Sequence, residues 1–241
     1  MALDSTAPRA QGLKTVLDTI VSPKEAFESI RIIPTWGWAL AIAVVLSSLG
    51  TYLMAPALQH AFASGWPAMV AKDPNLAQLS ADKQQSILAM NSKIFGFAWL
   101  FSLIVVPIIC LIEAVVMLIF NAIGRGEGTF GKYFAASCNI AVPSAGLYSI
   151  VSALIVTIRG ADSFGNMQSL QTVLPSLAYF APAASPKLTA LLNAANPFSI
   201  WGVALSIAAM LIIGRVSKVQ AWLAGIVLFI IPALLATAGA K

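Results

Sequence analysis

Charged side chains are scarce in this sequence. They make up 10% of its 241 residues, against 59% that are hydrophobic, and only nine are acidic. A water-soluble domain is charged at about a quarter of its positions and apolar at just under half. This inventory cannot cover a water-facing surface of the chain's size. Histidine and cysteine are scarcer still. The single histidine, His60, has no Cys, Asp or Glu at ligand spacing, which argues against a metal site. It also leaves no basis for a Ser–His pair. There is no His-Glu-x-x-His, no pair of intramembrane aspartates and no cofactor motif, so a catalyst is not expected. Cys110 and Cys138 lie inside apolar runs, where a thiol behaves as a small hydrophobe, and no disulfide is expected. The net charge of +5 and pI near 9.4 come without a dense basic run or an aromatic-basic module, so nucleic acid is not an expected partner. The first 35 residues show no apolar core followed by a cleavage site, and no secretory leader is expected.

What the chain has instead is long apolar runs and a mean hydropathy of +0.87. Runs of about 18 or more apolar residues read as membrane spans. Five are expected, over 36–54, 94–120, 133–158, 198–213 and 219–236. The fold class is therefore all-α: a polytopic integral membrane protein with short amphipathic interfacial helices. Residues 1–11 are polar and expected to be disordered. Over 12–33 the spacing of Leu13, Val16, Leu17, Ile20 and Val21, then of Ala26, Phe27 and Ile30, predicts two helices lying in the headgroup layer. Between them Ser22, Pro23 and Glu25 form a helix-start signal of the capping-box type. The membrane domain proper then runs over 34–241. Two longer connectors are expected outside the membrane, over 56–92 and 159–196. The second contains the helix start "SPKLTALLNAA", with Leu188, Leu191 and Leu192 on one face. The connectors "GRGEGTFGK" and "GRVSK" are short and doubly basic, which predicts a cytoplasmic N-terminus, a C-terminus outside, and a multi-pass location in a cell membrane.

Two features invite a functional reading. In "GRGEGTF" Gly124, Gly126 and Gly128 lack the strand–helix context of a phosphate-binding loop. They are read as supplying positive backbone angles for a tight turn. Glu113, by contrast, stands alone in "FAWLFSLIVVPIICLIEAVVMLIF", about 12 Å from the end of its span at 1.5 Å per residue. A carboxylate at that depth costs several kcal/mol unless protonated, paired or facing a wet cavity. The third span offers Asn139, Ser137 and Ser144 at similar depth, and Glu113 is expected to meet one of them. Pro107 and Pro143 are expected to kink the second and third spans.

Three stretches carry a family resemblance: "SPKEAFESIRIIPTWGWALAIAVV", "FNAIGRGEGTFGKYFAASCNIAVPSAG" and "NPFSIWGVALSIAAMLIIGRVSKVQAW". They resemble the Yip (Ypt/Rab-interacting protein) membrane-protein family at Pro23, Phe27, Pro34, Gly124, Gly128, Phe130, Pro143, Pro197, Phe198 and Trp201. The resemblance implies five membrane helices and a cytoplasmic N-terminus. For eukaryotic relatives it implies association with Rab-type GTPases and vesicle traffic. This chain looks more like the bacterial branch, which places it in a bacterial inner membrane, and its N-terminal region of about 35 residues offers a GTPase little surface.

The function expected from these features is non-catalytic. The protein organises or remodels the bilayer or recruits a partner, with membrane lipids as its contacts and a protein partner or a second copy of itself as further candidates. If Leu17 and Phe27 form the membrane wedge, aspartate at both abolishes binding of a 1–35 peptide to anionic vesicles. The alternative is a small transporter or channel for an ion, proton or small solute, built around Glu113.

Overall fold

The computed structural model describes residues 7–181 and 185–238. Among these the chain is helical, with no strand. Helix α1 (Ala7–Val21) and helix α2 (Pro23–Ile32) form an N-terminal pair. Residues 7–11, expected to be disordered, are already helical, while residues 1–6 lie outside the described residues. Ser22 and Pro23 hold the predicted helix-start positions, but no capping box forms. The Ser22 hydroxyl makes no capping bond, and backbone bonds from Ser22 N–H to Asp18 O (2.7 Å) and from Ala26 N–H to Ser22 O (3.2 Å) carry the junction.

Helix α3 (Gly37–Lys72) continues well past the expected end of the first span at Met54. At 1.5 Å per residue it is about 54 Å long, so its second half projects beyond a hydrocarbon core of about 30 Å. Tertiary contact explains the extension. The chain turns back through α4 (Pro74–Ala77) into α5 (Ala81–Gly96), which packs on α3. Phe62 meets Phe95 at 5.3 Å between ring centroids, and Gln59 Nε2 donates to Ser92 O at 3.0 Å. The expected 56–92 connector is thus mostly helix.

A single 3-10 turn, Ala98–Phe101, leads into α6 (Ser102–Ile123), which remains helical through Pro107. The third crossing is α7 (Phe130–Ala141), a π-helical segment Val142–Leu147, and α8 (Tyr148–Arg159). Pro143 has no N–H for the helical ladder, and the backbone widens around it instead of breaking. Small residues then let α3 approach closely: a Cβ on Gly50 would stand 2.6 Å from the Ser149 carbonyl. Beyond α8 come α9 (Met167–Gln171), α10 (Pro186–Asn193), α11 (Pro197–Ile213) and α12 (Lys218–Ala238).

Among the described residues four helical stretches are long and apolar enough to cross a membrane: Gly37–Lys72, Ala98–Ile123, Phe130–Arg159 and Lys218–Leu235. Helix α11 alone has 17 residues, short of the roughly 20 a bilayer needs. Taken with α10, from which it is bent by 56°, it makes a broken fifth span. The apolar side chains Ile104, Ile108, Ile112, Val115 and Ile119 of α6 stay exposed, as a lipid-facing surface requires.

Helices α6, α7, α11 and α12 form a ring in which each packs against two others. Its core holds Met117, Tyr133, Ile140, Met210 and Ile213. The ring is two similar hairpins. Ile123-Gly124-Arg125 turns α6 into α7, and Ile213-Gly214-Arg215 turns α11 into α12. Both arginines adopt the left-handed backbone, at φ 51° and 52°. A proline precedes each arginine at the same spacing (Pro107, Pro197), and another follows at the same spacing to within one residue (Pro143, Pro232). Exchanging α6 with α11 and α7 with α12 reproduces the pattern of neighbours, so the two hairpins hold equivalent places in the ring. One end carries the two Gly-Arg turns; the cavity described below lies toward the other.

Candidate functional site

The turn end is closed by an interlock that starts from one buried amide. Asn121, on the last turn of α6, donates through Nδ2 to Gly126 O (3.2 Å) and Gly128 O (3.1 Å). Its Oδ1 accepts from Gly128 N–H (3.0 Å) and from the hydroxyl of fully buried Tyr133 (2.8 Å). The two turns are then joined to each other: Glu127 N–H donates to Gly214 O at 2.8 Å, and Arg215 pairs with the Glu127 carboxylate at 3.3 Å. This geometry corrects the reading of the glycines. Gly124, Gly126 and Gly128 do not have positive φ; Arg125 does. The glycines are needed because a Cβ on Gly126 would collide with Asn121 Oδ1, and one on Gly128 with the Tyr133 ring.

Toward the opposite end the helices of the ring line an open-sided cavity of about 510 Å³. Helix α6 contributes Ile109 and Glu113, and the third crossing contributes Ile140, Ser144 and Tyr148. Helix α11 adds Ser199, Gly202, Val203 and Ser206, and α12 adds Leu228, Phe229 and Pro232. The break between α10 and α11 roofs it with Asn193 and Asn196. Asn196 is held in place as the cap of α11: its Oδ1 accepts from Phe198 N–H (3.1 Å) and Ser199 N–H (3.0 Å), while its Nδ2 donates to Asn193 O (3.2 Å). Each hairpin offers the same two levels of wall, since Ile109 and Glu113 stand at the same distances in sequence from Arg125 as Ser199 and Val203 do from Arg215.

The four residues expected to cluster are divided. Glu113 and Ser144 share the cavity. Ser144 Oγ donates to Ile140 O at 2.8 Å, and Glu113 takes no hydrogen bond or ion pair from any described residue. Asn139 points elsewhere. It donates to Thr35 O (3.0 Å) and Ala135 O (2.8 Å), which ties the segment ahead of α3 to α7. Ser137 is buried in the protein, without a hydrogen-bond partner among the described residues. Sequence reasoning passed over Asn121, Tyr133, Tyr148, Asn196, Ser199 and Ser206. The available signal was positional: Asn121 and Tyr133 flank the glycine connector, and Asn196 precedes a helix-opening proline.

The remaining candidates have structural surroundings. Pro23 and Pro197 open helices, Pro34 separates α2 from α3, and Phe130 stacks on Phe134 at 6.1 Å. Phe198 meets Tyr148 edge-on at 6.0 Å, and Trp201 is exposed. Cys110 and Cys138 are free and buried in one cluster. His60 faces Asp162 at 3.5 Å and Ser64 at 3.2 Å.

A ring of apolar helices, a broken span and an interlocked loop end define a polytopic helical membrane protein. The Yip1 domain family model matches residues 17–240, nearly the whole chain, and the protein belongs to that family. No curated protein and no solved structure matches the chain.

Proposed function

We propose that this Yip1-family protein is a non-catalytic membrane organiser of the bacterial branch, whose N-terminal helical pair couples one leaflet rigidly to the transmembrane ring. The Gly-Arg turns and the N-terminal pair lie on the cytoplasmic side, and the C-terminus lies outside, in a cell membrane. One observation carries this reading. Helix α1 buries Thr15, Val16 and Thr19, with Val16 in one cluster with Ala39 and Ala43 of α3, and leaves Leu13, Leu17 and Val21 (42%, 64% and 75% exposed) as an apolar row. Trp36 and Trp38, also exposed, stand where α3 begins, and Gly12 touches Trp38. An apolar row beside an aromatic belt is the arrangement that settles into headgroups. The wedge is therefore Leu13, Leu17 and Val21, without Phe27, which is fully buried against the ring. Lys24, Glu25 and Glu28 of α2 face outward and form the polar surface left for a partner in a trafficking-type role.

The test uses the full chain in liposomes of mixed diameter. Wild type is expected to concentrate on the smaller vesicles, where lipid packing defects are more frequent, and a Leu17→Asp/Val21→Asp variant to lose that preference while staying inserted. An even distribution of the wild type would remove the curvature role.

A further inference from the structure

We propose that the cavity around Glu113 is a binding site for a small protonated organic amine, with the carboxylate holding the ammonium group and the helix walls holding an apolar body. The proposal does not depend on the membrane-organising role.

The lining selects the ligand by elimination. Among the described residues Glu113 is the one carboxylic acid on the wall and no Lys, Arg or His lines it, so an anion has no counter-charge there. A divalent metal is poorly served: calcium takes about 6–8 oxygens, commonly from several carboxylates, and here one carboxylate stands among hydroxyls and three amides, of which Asn193 and Asn196 already accept hydrogen bonds through Oδ1. The volume of about 510 Å³ falls in the range of organic-ligand pockets. Ile109, Ile140, Val203, Leu228 and Phe229 make much of the wall apolar. The polar groups lie where an ammonium could use them. Ser144 and Ser206 donate to backbone carbonyls at 2.8 and 2.9 Å, so their oxygens keep lone pairs for accepting.

The backbone adds to this preference. Helix α10 ends against the cavity at Asn193, and a helix C-terminus is the partially negative pole. A span broken at the level of a solute is also how membrane proteins expose polar backbone to a bound ion or molecule. Finally, an intramembrane carboxylate with no protein partner needs a proton, a cation or water, and Glu113 has no partner among the described residues. The ammonium could belong to a free solute or to the ethanolamine headgroup of a lipid. The recognising chemistry is the same.

The experiment follows carbodiimide modification of Glu113 in the full-length wild type by mass spectrometry, in detergent, counting the N-acylurea and any amide formed by capture of the activated carboxyl together as modification, with n-butylammonium chloride or equimolar 1-butanol as probes. Protection by the amine alone, reaching about tenfold at roughly ten times its dissociation constant, supports a free-solute site. A second arm compares nanodiscs of phosphatidylethanolamine and phosphatidylglycerol; protection seen only with the ethanolamine lipid supports a headgroup site. Protection by neither amine, or equal protection by 1-butanol, overturns the proposal. Thermal unfolding gives an independent readout. Butylammonium raises the Tm of wild type and of Glu113→Asp but not of Glu113→Gln, and an equal rise in Glu113→Gln also overturns it.

Discussion

At the scale of single residues, the polar groups of this protein serve mainly to hold loops. Asn121 satisfies two carbonyls, one N–H and one hydroxyl at the end of α6. Each buried polar group left without a partner costs about 1–3 kcal/mol, whereas losing one bond of a satisfied set costs nearer 1 kcal/mol. Tyr133→Phe removes one donor from Asn121 Oδ1, which still accepts from Gly128. It should lower stability by about 1 kcal/mol. Asn121→Leu strands four groups at once and should cost on the order of 3 kcal/mol or more. Thermal unfolding of the two variants in the same detergent checks the order; a smaller loss for Asn121→Leu would show that the interlock does not hold the turn end. Glu113 is the exception at this scale. Its depth in the span was legible from the run around it, but its surroundings were not. Asn139, at matching depth, turns to Thr35 on another side of α7, because helical phase rather than depth decides which side chains meet.

At the scale of elements, the N-terminal pair shows what amphipathic spacing does and does not establish. The 3.6-residue period of both helices is plain in the sequence, but an apolar face is equally suited to lipid and to protein. Helix α1 divides its apolar residues between the two. Helix α2 puts Ala26, Phe27 and Ile30 against α7 and α11, beside Met210 and Ile213. Truncating a fully buried phenylalanine costs about 3–5 kcal/mol. Phe27→Ala is therefore expected to release the pair from the ring and open the 22–36 junction to protease, while Leu17→Ala leaves the cleavage pattern unchanged. Equal protection in both variants would mean that α2 is held by something other than its apolar face. Helix α3 makes the complementary point. The first span is expected to end at Met54, yet the helix carries on through Pro56. Packing of Phe62 and Trp66 near α5 outweighs the local cost of the proline.

At the scale of the whole molecule, the chain passes five times between two ends, counting the bent α10–α11 pair as one passage. Both Gly-Arg turns sit at one end, so a cysteine replacing Thr129 and one replacing Ser217 should react from the same side of the membrane. Cysteines replacing Ser80 and Ser185 should react from the opposite side. A membrane-impermeant maleimide applied to right-side-out and inverted vesicles reads this directly, and the short basic turns predict the cytoplasmic side for Thr129 and Ser217. Labelling of positions 80 and 217 from one side would contradict the five-pass topology.

The solvent, the class and the approximate positions of the crossings are all legible in the order of the amino acids, because each follows from how many apolar residues stand in a row and where basic residues and glycines interrupt them. Those are local sums, and partitioning into lipid depends on little else. Packing in three dimensions sets which apolar faces meet protein and which meet lipid, that α11 needs α10 to make its crossing, and that Glu113 looks into a cavity between two matched hairpins. These depend on the rotation of each helix about its axis and on which helices are neighbours. Hydropathy, which measures only how oily each segment is, carries neither.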